Sequence, residues 1–382
     1  MPPALAQRLV CGYSRKKDLI LDPFCGSGTV LVEAALNGRN SIGVDINPLA
    51  VLVARCKTTP IGDDRLSHAI NAILRRLQAD SDPHLSKVYF DNVDYWFKKK
   101  VQDHLAKLRG IIMSIGEPDL RCFFQICLSV TVRYVSNIRK GEFKPWRLPS
   151  EELRAYRPDV YAIFSRTVLE NAKMVSEYCR MLPRENISTT TFLGDARSLP
   201  LRTGCADMVL TSPPYGDSIT TVAYGQFSKF SSLWIGLSGH LAMRLDQFSL
   251  GGRLSSNSRE QSLSPTLSET LAVLEEVGSR RKARVLQFFA DIAMSLIGVE
   301  KSLKRGGTMC VVVGDRTVSR TQLPTAEILV ELVEGLGGFR HEDTFVRSIP
   351  TKTLPWANAP ENISNHKGET MSQESIIVFS KQ

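Results

Sequence analysis

Residues 18–56 pass twice from a short apolar run through a turn into a helical pattern, and this repetition constrains the fold more than any other feature of the chain. Asp18-Leu19-Ile20-Leu21-Asp22 has the length and apolarity of a buried strand, residues 23–29 contain two glycines, and 30–36 has helical spacing. Gly38 closes that helix, Ser41-Ile42-Gly43-Val44-Asp45 reads as the next strand, and Asn47-Pro48 opens a second helix over 49–56. Successive βα units demand parallel strands joined by right-handed crossovers. The chain therefore begins an open α/β sheet, a fold whose ligands gather at the carboxyl ends of the strands.

The rhythm then stops. Residues 58–185 give helical patterns at 67–77, 95–112, 120–135 and 161–182, the third apolar enough to face a core. Between the last two lies a basic stretch with interleaved aromatics, Arg133, Arg139, Lys140, Lys144, Trp146 and Arg147, readable as a solvated connector or as a nucleic-acid contact. Lys98-Lys99-Lys100 reads as a solvated helix face. The sheet resumes with a third strand at 189–193, ending in Gly194-Asp195-Ala196-Arg197, and a fourth at 206–211. A second interruption is aromatic-rich at 225–239 and rich in serine and glycine at 249–268, the composition of a mobile segment. Arg280, Arg281, Lys282 and Arg284 lead into a long helix over 285–303, with Gly306-Gly307 as its stop. Strands at 309–313, 339–348 and 374–380 and a helix at 325–336 complete the pattern. The expected organisation is a sheet domain in three pieces, 1–57, 188–224 and 285–382, interrupted by a helical insertion at 58–187 and a flexible one at 225–284.

A hydrophobic content of 43% over 382 residues supports a substantial core, and a formal charge of +9 favours a polyanionic partner. The eight cysteines lack a CxxC pair and the six histidines are dispersed, which points to reduced thiols rather than a zinc site or disulfide framework. No stretch has the length and apolarity of a membrane span, and the expected compartment is the cytoplasm.

The fourth strand runs into Thr211-Ser212-Pro213-Pro214-Tyr215, and the prolines cannot continue it. A hydroxyl, unpaired carbonyls and an aromatic face are left at the sheet's carboxyl edge, where a flat hydrogen-bonding ring can be held. In Asp22-Pro23-Phe24-Cys25-Gly26-Ser27-Gly28-Thr29, Gly26 and Gly28 let backbone approach a ligand closely. The turn lacks the GK[ST] ending of a phosphate-cradling loop, which disfavours a nucleoside triphosphate. Asp45 ends the second strand, where an acid accepts hydrogen bonds from ribose hydroxyls, the alternative being a helix cap. Asp195 ends the third strand and is placed for the far end of the same ligand, the alternative being a turn residue.

These four motifs, in order on successive strands, resemble the S-adenosylmethionine-dependent DNA amino-methyltransferases, which modify the exocyclic amine of cytosine or adenine. Ser-Pro-Pro-Tyr is most similar to the cytosine-N4 branch. The resemblance continues through Thr220-Thr221-Val222-Ala223-Tyr224-Gly225 to Ile349-Pro350-Thr351-Lys352 and the last strand, while Pro3-Ala4-Leu5 resembles only the tail of the segment that precedes the glycine turn in this family. It implies a Rossmann-like class I methyltransferase fold, a seven-stranded mostly parallel sheet with an antiparallel last strand, plus a helical insertion. S-adenosylmethionine is the implied cofactor. Phe24, Gly26 and Gly28 would line its methionine end in a site shared with Asp22, Cys25 and Thr29. Asp45 would hold the ribose and Asp195 the adenine.

Ser212, Pro213, Pro214 and Tyr215 would carry the catalysis. An aromatic amine is a poor nucleophile because its lone pair is delocalised into the ring. The Ser212 hydroxyl and the Pro213 carbonyl can each accept one amine hydrogen and aim the nitrogen at the methyl group. Tyr215 would stack on a base flipped out of duplex DNA. Ser212 is too weak a base to be more than a positioning group, which leaves the last proton to water. No Pro-Cys pair supports a covalent cysteine mechanism. The implied partners are duplex DNA and a cognate restriction endonuclease. The competing expectations are adenine N6 in DNA, guanosine N2 in transfer RNA, and a non-catalytic subunit that binds cofactor or DNA.

Overall fold

The computed structural model describes residues 1–78, 86–141, 145–216, 223–237, 239–254, 264–349 and 373–382. They form two units, Met1–Ile46, Glu185–Val222 and Asp246–Gln382 in one, Asn47–Arg184 and Ala223–Leu245 in the other. Strands of the first unit are β1 (Leu19–Asp22), β2 (Asn40–Asp45), β3 (Thr189–Leu193), β4 (Ala206–Thr211), β5 (Leu303–Val313), β6 (Arg316–Val318), β7 (Thr321–Leu323), β8 (Phe339–Ser348) and β9 (Gln373–Lys381). Seven of them form one sheet in the order β3-β2-β1-β4-β5-β9-β8. The first five pair in parallel, and β9 runs antiparallel to both its neighbours. This is the class I methyltransferase arrangement of a Rossmann-like sheet. Strand order reverses between β1 and β4, the switch point at which such sheets open a crevice.

The central strands carry apolar residues on both faces because helices cover both, and those side chains alternate between two cores. Leu21, Val209, Met309, Val311, Ile377 and Phe379 face Phe288, Phe289 and Ile292 of helix Lys282–Ser302. Ile20, Met208, Leu210, Cys310, Val312 and Val378 face Ala6, Leu9 and Val10 of helix Pro3–Tyr13 and Val30 and Ala34 of helix Thr29–Leu36. Each fully buried phenylalanine stabilises this packing by about 2–3 kcal/mol relative to exposure.

The second unit is helical, with Pro48–Thr58, Asp63–Gln78, Lys99–Met113, Pro118–Val135, Val160–Met181 and Tyr224–Trp234 around a core that contains Phe97, Phe123, Phe124, Phe164 and Trp234. Helix Pro118–Val135 buries eleven of its residues, in accord with its sequence pattern.

Three features depart from the sequence reading. Helix Pro48–Thr58 follows β2 in the βα rhythm, yet Leu49, Leu52, Val53 and Cys56 pack into the helical core, so that unit begins at Asn47 rather than 58. The stretch 225–284, expected to be flexible, holds helices Tyr224–Trp234, Gly239–Phe248 and Pro265–Glu276. In the last of these Leu267, Leu271 and Leu274, at helical spacing, are buried against the sheet unit, a signal diluted by the surrounding serines. Residues 255–263 of the serine-rich run lie outside the described residues. Gly306 and Gly307 belong to β5 rather than to a helix end. A β-carbon at Gly307 would come within 2.9 Å of the Asp207 carbonyl, so glycine there permits the close approach of β5 to β4.

Candidate active site

The turn after β1 is built on the end of β2. The Cys25 amide donates to the Val44 carbonyl at 3.0 Å and the Gly26 amide donates to Asp45 Oδ2 at 2.8 Å. Gly26 and Gly28 have φ of +50° and +78°, a left-handed backbone that favours glycine, and a β-carbon at Gly26 would meet nothing within 4 Å. The space beside the turn is open. Phe24 and Thr29 are half-buried next to it.

Asp22 and Cys25, expected in the cofactor site, have enclosed side chains, 3% and 5% exposed. The Asp22 carboxylate accepts hydrogen bonds from Thr211 Oγ1 at 2.7 Å and from the Phe24 amide at 3.1 Å. It ties the carboxyl end of β1 to that of β4. Burial pushes its pKa up to about 7, against the lowering effect of those two hydrogen bonds and with a further rise from the nearby Asp45 charge. Cys25 Sγ lies against Gly43, where a β-carbon would be 3.0 Å from it. Both side chains thus shape the turn from inside.

Asp45 is half-buried at the end of β2. The cap of the following helix is Asn47, whose Oδ1 accepts from the Leu49 amide at 3.0 Å, so the carboxylate at 45 has a different task. At the end of β3, Asp195 does cap a turn, accepting from the Arg197 amide at 2.9 Å. The Arg197 guanidinium also grips it, at 2.6 Å to Oδ2, and itself reaches Asp291 at 3.1 Å and the Phe248 carbonyl at 2.8 Å. Burial would raise the Asp195 pKa, but the hydrogen bonds and charge of Arg197 outweigh it and hold the carboxyl below its ordinary range. Asp195 is therefore an anchored carboxylate.

At the end of β4, Pro213 is buried while Ser212, Pro214 and Tyr215 are half-buried. Ser212 Oγ donates to Tyr215 Oη at 3.3 Å, and Tyr215 Oη donates to Glu374 Oε1 at 2.9 Å. Glu374, 8% exposed near the start of β9, is ion-paired with Arg347 on β8. Burial acts to raise the Glu374 pKa; the bonds from Arg347 and Tyr215 outweigh it and keep the group below the usual glutamate range. Glu374 and Arg347 adjoin these residues without having been singled out in the sequence, and Thr211 and Arg197, quoted there only within their motifs, contact Asp22 and Asp195. The available signal was a carboxylate heading an otherwise apolar strand, Glu374-Ser375-Ile376-Ile377-Val378.

Register brings these groups to one edge. Leu21 of β1 is level with Val209 of β4, Asp22 with Gly43 of β2, and Asp45 with Leu193 of β3. The glycine turn, Asp45, Asp195 and Ser212 to Tyr215 all follow from those positions toward the carboxyl ends. Residues 217–222 and 350–372, which include the first half of Thr220 to Gly225 and all of Ile349 to Lys352 but its first residue, lie outside the described residues.

In the helical unit, the basic stretch is partly structural. Lys140 Nζ donates to the carbonyls of Arg133, Tyr134 and Ser136, closing the end of helix Pro118–Val135. The Arg133 guanidinium lies 3.6 Å over the Phe227 ring and that of Arg147 lies 3.9 Å over Tyr95. Trp146 is 59% exposed, Arg139 is exposed, and Lys144 lies outside the described residues. In the sheet unit, Lys282 pairs with Glu275 and Arg284 reaches the Gly251 carbonyl, while Arg280 is exposed.

Comparison with known proteins agrees with this geometry. Residues 1–55 match a family model described as DNA methylase. Over 380 residues the chain is 35% identical to the type II methyltransferase M.MvaI of Kocuria varians, covering 94% of this chain and 84% of that protein. The chain belongs to the DNA amino-methyltransferase family. It is also 50% identical over 145 residues to the type II methyltransferase M.MthZI of Methanothermobacter thermautotrophicus, covering 37% of this chain and 34% of the other. Among solved structures it is similar to a SAM-dependent methyltransferase from Methanosarcina mazei, with 11% identity, a TM-score of 0.35 and coverage of 98% of this chain and 96% of that one. The fold assignment rests instead on the strand order of the sheet.

This methyltransferase uses the family's methyl donor, S-adenosylmethionine, and its residues fit that group. An open, left-handed glycine turn can lie against the methionine part, and Asp45, at the end of the adjacent strand, has the carboxylate chemistry to accept from ribose hydroxyls. Among the described residues no helix is long and apolar enough to cross a membrane.

Proposed function

We propose that this DNA methyltransferase transfers the methyl group of S-adenosylmethionine to the N4 amine of cytosine in duplex DNA, as the modification half of a type II restriction-modification pair in the cytoplasm. The observation that carries the reading is the head of the strand-end motif. It is Ser212, a neutral hydroxyl held by Tyr215, rather than a carboxylate or carboxamide. The cofactor supplies an electrophilic methyl on a sulfonium. Asp45 would hold the ribose hydroxyls, Asp195 would lie toward the adenine, and Phe24, Gly26 and Gly28 would line the methionine end; Asp22 and Cys25 hold the turn in shape, with Thr29 beginning the helix behind it.

The target cytosine leaves the stack and recovers part of the forfeited stacking on Tyr215. Ser212 Oγ and the Pro213 carbonyl each accept one amine hydrogen, which draws the nitrogen toward tetrahedral geometry. Ser212 and Pro213 would hold the amine so that its lone pair is aimed at that methyl group, with the surplus amine proton left to water. Pro213 and Pro214 fix the carbonyl direction by limiting backbone rotation. Since a hydroxyl is a poor base, this arrangement works by orientation, a contribution that can lower a barrier by several kcal/mol, with an upper range of about 7–11.

DNA contact is assigned to 120–147 and to 253–284, where exposed Arg139, Trp146 and Arg280 supply charge and a stacking face. The test is the identity of the methylated nucleoside in duplex DNA exposed to the protein. N4-methylcytosine supports the reading, whereas N6-methyladenine, or methylation confined to transfer RNA, overturns it.

A further inference from the structure

A hydrogen-bond chain runs outward from Ser212, and its chemistry permits only one direction. Glu374 is enclosed and carries the Arg347 ion pair, so it is a carboxylate and can only accept. Tyr215 must therefore give its single hydroxyl proton to Glu374 Oε1, 2.9 Å away. Having spent that proton, Tyr215 Oη can only accept from Ser212, at 3.3 Å. Ser212 in turn has given its one proton to Tyr215, and the outward part of its oxygen offers lone pairs alone.

From this geometry we infer that Glu374, fixed by Arg347, is a positioning residue that sets the polarity of Ser212 and makes it an obligate acceptor for the exocyclic amine. The inference rests on the proposed role of Ser212 and Tyr215 at the base. It has a consequence for specificity. A serine free to rotate could donate to the exocyclic oxygen of thymine as readily as it accepts from an amine. A serine whose proton is committed favours an amino base over a keto base, because an oxygen facing an oxygen without a shared proton is repulsive. The carboxylate also anchors the Tyr215 ring through its hydroxyl, fixing the plane on which the base would stack.

The chain spans strands far apart in sequence, with Tyr215 and Glu374 159 positions apart. Replacing Glu374 by Gln keeps the size but adds an amide that can donate. An amide turned toward Tyr215 would reverse the chain and leave Ser212 facing the amine with its proton.

The test is single-turnover transfer of labelled methyl from saturating S-adenosylmethionine to plasmid DNA, with the methylated nucleoside identified by mass spectrometry and cofactor affinity measured by calorimetry. Glu374→Gln is expected to slow transfer on the order of 10- to 100-fold while cofactor affinity stays within about 2-fold of wild type. Tyr215→Phe, which keeps the ring and removes only the hydroxyl, should slow transfer by a similar factor. Adding Glu374→Gln to Tyr215→Phe should then cost little more, since the chain is already cut. A purely structural Glu374 would instead slow the double variant by the full extra factor, and that result overturns the inference. If Glu374→Gln fails to fold, Tyr215→Phe decides alone, and transfer at the wild-type rate overturns it. Methyladenine as the wild-type product would refute the cytosine reading yet leave the variant ratios to judge this one; no transfer by the wild type would refute both.

Discussion

At the scale of single residues, the site depends on carboxylates with different neighbours. Asp45 supports the Gly26 amide with one oxygen at a strand end, while Asp195 is gripped by Arg197 and Glu374 by Arg347. Asp45→Ala is expected to weaken S-adenosylmethionine binding by about 10-fold or more, the worth of hydrogen bonds to a charged acceptor. Calorimetry checks this, and an unchanged affinity contradicts the ribose role. The placement of Gly26, Asp45 and the Ser212 to Tyr215 run at strand ends was legible in the sequence because it depends on local order, a turn or a stop directly after an apolar run. Glu374 and Arg347 were not, because only the pairing of β8 with β9 sets them side by side and only folding brings Tyr215 to them.

At the scale of elements, β1 and β4 are neighbours where the strand order reverses, and Asp22 bonded to Thr211 joins their ends. The raised pKa of Asp22 makes this link pH-dependent. Its ordinary value is 3.8 and its folded value is about 7, so between those values the folded state holds a proton that the unfolded state has released. The Asp22 contribution to stability therefore falls as pH rises through that window and is level above it. Asp22→Asn removes the titration while keeping an acceptor for Thr211. Urea unfolding at pH 4 and pH 8 should show the variant gaining on wild type by on the order of 2–4 kcal/mol across the interval. A constant difference would contradict the assignment.

The central strands were legible from short apolar runs between turn residues, while the antiparallel direction of the last strand followed from the family resemblance. The β6-β7 hairpin was not, because its turn residues Ser319 and Arg320 adopt positive φ, 49° and 65°, without the asparagine or glycine that usually announces such a turn. Helix Pro48–Thr58 was recognised as a helix, but its allegiance to the helical unit depends on tertiary partners such as Cys122, whose Sγ donates to the Leu52 carbonyl.

At the scale of the whole molecule, the chain forms two units, each with its own core. The sheet unit holds the glycine turn and the strand-end motif, and the charge of +9 over the chain supplies attraction for a polyanion. Replacing Arg139 and Arg147, or Arg280 and Arg281, by Ala is expected to lower the slope of log affinity for DNA against log salt by about one for each phosphate no longer neutralised. A slope unaffected by either pair contradicts the assignment of DNA binding to those stretches. Charge composition pointed toward such a partner, but which cations serve it depends on their neighbours. Lys140 is used to close a helix, whereas Arg139 remains exposed.

The central claim is that Ser212 to Tyr215 methylate cytosine at N4. Plasmid DNA incubated with the protein and S-adenosylmethionine, digested to nucleosides and resolved by mass spectrometry, tests it most directly. The wild type should yield N4-methyldeoxycytidine, and Tyr215→Ala that still binds cofactor should yield none above background. N6-methyldeoxyadenosine as the product, or undiminished N4-methyldeoxycytidine from Tyr215→Ala, would contradict it.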